Sequence, residues 1–118
     1  MSDRTGFILV NAGRSDHMEK VIIPAIQNGK VVVSERSIFS GYAYQVYDLI
    51  EPEFFDNIVT VLGDTVIPFK TFYIRVSYET SLKRMEDRKK DVIEQKGEAF
   101  FNRVILGYES LLTSRYVS

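Results

Sequence analysis

Val31 to Gln45 reads VVVSERSIFSGYAYQ, and this stretch decides the fold class. Val31, Val32, Val33 and Ser34 run without apolar-polar alternation, the pattern of a parallel strand covered on both faces. The run breaks at the charged pair Glu35 and Arg36, then continues into small and aromatic residues that can start a helix. In an α/β sheet, ligands gather just past the carboxyl ends of parallel strands, where loop side chains and helix N-termini converge. Glu35, Arg36, Ser40, Tyr44 and Gln45 are therefore expected on the rim of a site.

Upstream of this stretch, Met18, Val21, Ile22, Ala25 and Ile26 fall at i, i+3, i+4, i+7 and i+8, one apolar stripe of a helix that is expected to face a core. Phe7, Ile8 and Leu9 are expected in an earlier turn of the same or a preceding helix, interrupted near Gly13. Asn28-Gly29 is a C-terminal stop. Pro24 should kink the second half, because a straight helix through a proline costs about 3 kcal/mol.

Downstream, Ser40 to Ile50 reads as a helix, Glu51-Pro52-Glu53 as a fresh helix start, Phe54 to Leu62 as its body and Gly63-Asp64 as its end. Phe69 to Val76, FKTFYIRV, reads as a second strand. Tyr78 to Arg88 reads as a short helix that runs into the charged cluster Arg88-Lys89-Lys90-Asp91. A last helix keeps Phe100, Phe101, Val104, Ile105, Tyr108, Leu111 and Leu112 at helical spacing. Alternating helices and strands predict an α/β layer fold, parallel strands flanked by helices, with only two strands in this chain. Two parallel strands alone make a poor core, since each keeps an unpaired edge. With no repeat, low-complexity tract or linker, residues 1–118 are expected to form a single domain.

Composition narrows the function classes. The chain has 118 residues, 45% of them hydrophobic, and its 15 basic and 16 acidic side chains leave a net charge of −1. That balance gives no broad field, so neither nucleic acid nor an anionic membrane is an expected partner. The absence of cysteine excludes disulfides and thiolate metal sites. The apolar run Phe7 to Val10 is too short for a signal-peptide core or a membrane span, so a cytoplasmic address is expected.

Two longer stretches carry a resemblance. Residues 11–45, NAGRSDHMEKVIIPAIQNGKVVVSERSIFSGYAYQ, and residues 72–108, FYIRVSYETSLKRMEDRKKDVIEQKGEAFFNRVILGY, hold several separate motifs in order and spacing. Together they resemble the thymidylate kinase family of P-loop nucleoside monophosphate kinases, from about Phe7 to Leu112. The resemblance implies part of a P-loop kinase-like three-layer fold and an ATP-dependent phosphorylation of a deoxynucleoside monophosphate, dTMP to dTDP.

Within that resemblance, Arg14 matches the arginine that hydrogen-bonds the thymine edge, and a guanidinium fork suits such planar recognition. Glu35 and Arg36 match the acidic residue and arginine that handle the metal or reacting phosphates and the monophosphate. Phosphoryl transfer depends mainly on positioning and charge neutralisation, which suits this pair. Ser40, Gly41, Tyr44 and Gln45 match positions lining the nucleotide pocket, and Arg84 and Arg88 match lid arginines. Read without the family, Arg14 is a solvated helix arginine, Glu35 and Arg36 a surface ion pair, and Arg84 and Arg88 an exposed helix end.

Departures from the pattern are specific. Glu35 stands where the family has aspartate, Ser37 where it has an aromatic, Val10 where it has a stacking aromatic, and Val92 where its lid has an arginine. No G-x-x-x-x-G-K-[ST] loop occurs, since the glycines lie singly at 6, 13, 29, 41, 63, 97 and 107. ATP and Mg²⁺ are implied by the resemblance while no ATP site and no metal-ligand set is assigned to this chain. Two partnerships follow as expectations: a homo-oligomer, or a complementary chain carrying the ATP-binding part. The alternative is a catalytically inactive relative that serves as a nucleotide-binding or interaction subunit.

Overall fold

Ser2 opens the first helix by accepting a hydrogen bond from the Thr5 amide at 3.1 Å, satisfying one of the free donors of the first turn. The computed structural model describes residues 1–85 and 92–117, with side chains from 97 onward in the second stretch. Helix α1, Asp3–His17, passes through Gly13 without the expected break, and a wider π-type turn, Met18–Ile22, leads into α2, Ile23–Gln27. The widened turn directly precedes Pro24, which has no amide hydrogen to offer the preceding turn. One extra residue in the turn absorbs that missing donor. Asn28 and Gly29, the latter at φ 79°, stop the helix as the sequence predicts. The expected apolar stripe is only partly covered: Met18 is buried, whereas Val21 and Ile26 are each about half exposed (52% and 53%).

The α/β expectation is overturned. Among the described residues there is no β-strand and no sheet, so the two parallel strands and the three-layer arrangement are absent and the architecture is helical. Val31–Ser34 and Phe69–Val76 run as irregular segments. Val31 and Val33 are each 90% exposed and Phe69 is 99% exposed, so the residues expected at a sheet centre face solvent. A strand exists only through the backbone groups of a neighbour, and these two segments do not supply one to each other. Apolar continuity in sequence signals what a segment needs beside it, not what is there.

Ser37 caps α3, Ile38–Gly41, by accepting from the Phe39 amide at 3.2 Å. A second π-type turn, Tyr42–Val46, continues it, and the path leaves the helix at Tyr47 and Asp48, the latter at φ 61°. This helical stretch therefore begins and ends earlier than the expected Ser40 to Ile50. Helix α4, Pro52–Leu62, starts with proline in its first turn and stops at Gly63, whose φ of 92° disfavours any side chain. A single 3₁₀ turn, Asp64–Val66, follows. Helix α5, Tyr78–Arg84, is capped by Ser77, and the rest of the helix expected to reach Arg88 lies outside the described residues. Helix α6, Val92–Leu112, changes direction at Gly97, where φ 83° and ψ −174° are not helical.

Phe7, Ile38, Phe39, Val46, Phe55, Val59, Val66 and Leu111 form the core. Phe7 sits between the rings of Phe54 and Phe55 at 5.6 and 6.1 Å, and Tyr42 meets Phe55 edge-on at 4.9 Å. Each such fully buried aliphatic or aromatic side chain contributes roughly 1.5–3 kcal/mol. Helix α6 crosses the Tyr42–Val46 turn almost backbone to backbone, since a Cβ on Gly107 would lie 2.9 Å from Ala43 Cα. The chain end closes over α4: the Tyr116 hydroxyl donates to the Asp56 carboxylate, and its ring packs edge-on against Phe55 at 5.3 Å.

Candidate functional site

The loop that leads into α3 is held in an unusual backbone state. Arg36 has φ 69°, in the left-handed region that costs a side-chain-bearing residue roughly 1–2 kcal/mol. Ser34 Oγ donates to the Arg36 carbonyl at 2.7 Å and Ser37 caps the helix immediately after, so the bend is fixed on both sides. The result directs the guanidinium back over the Tyr44 ring, 5.3 Å from its centroid. Glu35, beside it, is exposed and forms no ion pair among the described residues.

Tyr44 belongs to a group of rings built from three parts of the chain. It meets Phe100 and Tyr108 edge-on at 5.9 and 6.4 Å. Tyr108 shares a 2.7 Å hydroxyl hydrogen bond with Ser40 and stacks on Tyr73 at 5.7 Å. The Tyr73 hydroxyl is buried and has no hydrogen-bond partner among the described residues. Burial, followed by the nearby Glu109 carboxylate, pushes its pKa above the ordinary phenol value. Arg103 lies over Phe100 at 5.2 Å and donates to the carbonyls of Tyr47 and Tyr44 at 3.1 and 3.4 Å. It thereby occupies acceptors left open at the end of the Tyr42–Val46 turn.

Gly41 and Gln45 face the other way, toward α1. A Cβ on Gly41 would lie 2.9 Å from the Phe7 ring, and one on Gly6 would lie 2.8 Å from Gln45 Nε2. At Gly41 the buried Phe7 ring leaves no room for a side chain, whereas at Gly6 the close atom is the end of the flexible Gln45 side chain. Arg14 lies two turns beyond Phe7 on α1. It is half-buried, its Nη1 donates to Asn11 Oδ1 at 3.0 Å, and burial pushes its pKa below the usual guanidinium value.

The structure thus joins Arg36, Ser40 and Tyr44 through Tyr108, and sets Gly41 and Gln45 against α1, the helix that carries Arg14. Glu35 adjoins the group by chain position alone. Arg84 is exposed at the end of α5, and Arg88 lies outside the described residues. Tyr108, Tyr73, Arg103 and Asn11 were not singled out from sequence as site residues. Tyr108 counts as one more apolar position of α6, because helical spacing registers its ring and not its hydroxyl. Asn11 directly follows the run Phe7 to Val10, and that position alone does not mark it as buried. A separate open pocket of about 420 Å³ between Tyr42, Val46, Tyr47, Asp48, Leu49, Ile50 and Pro52 contains none of the expected site residues. Among the described residues, no three His, Asp or Glu side chains cluster to hold a metal.

A family model described as thymidylate kinase matches residues 1–117. A thymidylate kinase of Coprothermobacter proteolyticus is 33% identical over 108 residues, covering 91% of this chain and 56% of the relative. One from Prochlorococcus marinus strain MIT 9301 is 35% identical over 103 residues, covering 86% of this chain and 49% of the relative. One from Fervidobacterium nodosum is 33% identical over 105 residues, covering 88% and 53%. The chain spans about half the length of the curated relatives it matches. No solved structure matches it significantly.

Proposed function

The chain belongs to the thymidylate kinase family, and from that premise we propose that it forms the acceptor side of a phosphoryl transfer from ATP to dTMP. The ATP-phosphate cradle is supplied by a part outside these 118 residues, either a complementary chain or a further segment. The observation that carries this reading is the placement of Arg36. A left-handed residue is retained at a cost, and what it achieves is a guanidinium seated over Tyr44 on the face that also bears Ser40 and Tyr108.

In this reading Tyr44, Ser40, Gly41 and Gln45 line the nucleotide pocket and Arg14 offers donors to a carbonyl on the base edge. Arg36 holds the monophosphate by charge-assisted hydrogen bonds. Glu35 is a single carboxylate at the loop tip, which suits Mg²⁺, an ion usually held by one or two carboxylates together with substrate phosphates. When bound, that ion neutralises phosphate oxygens. Arg84, at the end of α5, and Arg88 would serve as lid arginines, adding positive charge as the phosphates are enclosed. No helix among the described residues is long and apolar enough to cross a membrane, and a cytoplasmic address would suit a nucleotide substrate.

Assembly is part of the proposal. Ile8, Leu9 and Val10 on α1 and Val21 and Ile26 beyond it are each about half exposed, and a second copy packed on these helices would cover them. Sedimentation showing a compact monomer at micromolar concentration would reject this. The second reading is a catalytically inactive relative that serves as a nucleotide-binding or interaction subunit. The acceptor-side reading requires nucleotide binding, which an inactive subunit that serves only in interaction does not, so calorimetric titration with dTMP tests it. Saturable binding that weakens in Arg36→Ala supports the site, and no binding by the unaltered protein removes it.

A further inference from the structure

Arg14 is an unusual cation. It is half-buried, it forms no ion pair among the described residues, and its recorded partner is a neutral amide. Cations withdrawn from water are ordinarily matched by a carboxylate. A carboxylate would also occupy the guanidinium, taking two of its five donors in a fork and cancelling its charge. Asn11 takes one donor and leaves the charge intact.

The geometry around Asn11 makes that contact directional. The side chain is only 2% exposed, its Nδ2 donates to the Phe7 carbonyl at 2.8 Å, and its Oδ1 accepts from Arg14 at 3.0 Å. Turning the amide over would set oxygen against the Phe7 carbonyl and NH₂ against the guanidinium, two repulsive contacts in place of two bonds. Phe7 is fully buried between Phe54 and Phe55, so the carbonyl that orients the amide is itself anchored in the core. A rigid relay runs from Phe7 through Asn11 to Arg14 along one face of α1.

We propose that Asn11 is a positioning residue that fixes the Arg14 guanidinium through a neutral acceptor, so that its remaining donors select a nucleobase presenting a carbonyl over one presenting an amine. This rests on the reading of Arg14 as the group that meets the base. An arginine has donors only, so a base carbonyl completes its hydrogen bonding while an exocyclic amine opposes a second donor. Discrimination then depends on how little the guanidinium can turn away.

The test compares dTMP with 5-methyl-dCMP, which replaces one ring carbonyl by an amine and keeps the methyl and phosphate groups. Calorimetric affinities are measured for the unaltered protein and for Asn11→Leu, which preserves side-chain bulk and removes the acceptor. We expect the unaltered protein to prefer dTMP by about tenfold or more, and Asn11→Leu to reduce that ratio to below about threefold with little change for 5-methyl-dCMP. A packing role alone would shift both affinities by one factor and leave the ratio, which would overturn the inference while sparing the Arg14 reading. An unaltered protein that binds both nucleotides equally, or neither, removes the Arg14 reading and the inference with it. If circular dichroism shows Asn11→Leu unfolded, nitrogen-15 spectra of the unaltered protein decide: separate, slowly exchanging Arg14 Nη signals support the held guanidinium, and fully averaged signals refute it.

Discussion

Ser40 and Tyr108 lie 68 positions apart in sequence and share a hydroxyl hydrogen bond of 2.7 Å. It ties the start of the candidate nucleotide pocket to the C-terminal part of α6. Tyr108→Phe keeps the ring contacts with Tyr44 and Tyr73 and deletes this bond alone, leaving a half-buried Ser40 hydroxyl to find water. The expected loss is about 0.5–1.5 kcal/mol, read as a lower urea midpoint with an unchanged slope. An unmoved midpoint would mean that solvent replaces the bond in full.

Arg36 separates binding from stability in a way that two substitutions expose. Arg36→Ala should weaken monophosphate binding roughly tenfold to a hundredfold, the worth of a charge-assisted contact of about 1.5–3 kcal/mol. Its thermal midpoint should barely change, because alanine keeps the left-handed backbone and the lost ring contact is exposed. Arg36→Gly should bind as poorly but unfold at a higher temperature than Arg36→Ala, since glycine adopts φ 69° without strain. Equal midpoints for the two variants would argue against backbone strain at this position.

Alkaline pH should loosen the molecule through two phenols. Burial, the first cause at both, raises the Tyr73 and Tyr116 values above the ordinary 10.0, with Glu109 adding at Tyr73 and the bond to Asp56 adding at Tyr116. A folded-state value above the unfolded one means the unfolded chain loses its proton first. Stability is therefore undiminished below pH 10 and falls as pH rises through the folded-state values. Tyr73→Phe and Tyr116→Phe should each flatten part of that fall in denaturant midpoints taken from pH 8 to 11. A slope identical to the unaltered protein in both variants would assign the effect to other groups.

ATP turnover by residues 1–118 alone is expected to be undetectable. Fixing and neutralising the β and γ phosphates supplies most of the acceleration in phosphoryl transfer, and that task belongs to Walker-loop amides, a lysine and the metal they help to hold. In the proposed reading Arg36 and Arg84 act from the acceptor side and cannot replace those groups, and each missing ~1.4 kcal/mol of transition-state stabilisation costs a factor of ten in rate. A coupled assay with ATP, Mg²⁺ and several deoxynucleoside monophosphates checks this. Steady turnover that disappears in Glu35→Gln would reveal an ATP site of another design.

Local punctuation in the sequence was a dependable guide to where helices start and stop. Glu51-Pro52-Glu53 opens α4, Gly63 closes it and Asn28-Gly29 closes α2, because each works through backbone geometry of the residues themselves. The loop at Glu35 and Arg36 also stood out, as a charged break in an apolar run. Partnership between distant segments was not legible. Val31–Ser34 and Phe69–Val76 carry the composition of strands and, among the described residues, no neighbour to make them so. The Asn11 to Arg14 contact was equally hidden, since a polar residue in an apolar helix run shows neither its burial nor which atom it bonds.

Those two bare segments also set a clock on the protein in solution. Val31, Val33, Phe69, Phe72 and Ile74 are each at least 83% exposed, on backbone that has no ladder to join among the described residues. Apolar, β-favouring stretches of this kind pair readily with copies of themselves. Self-association of this kind steepens with concentration, so dilute handling should yield clear samples where crowding yields turbid ones.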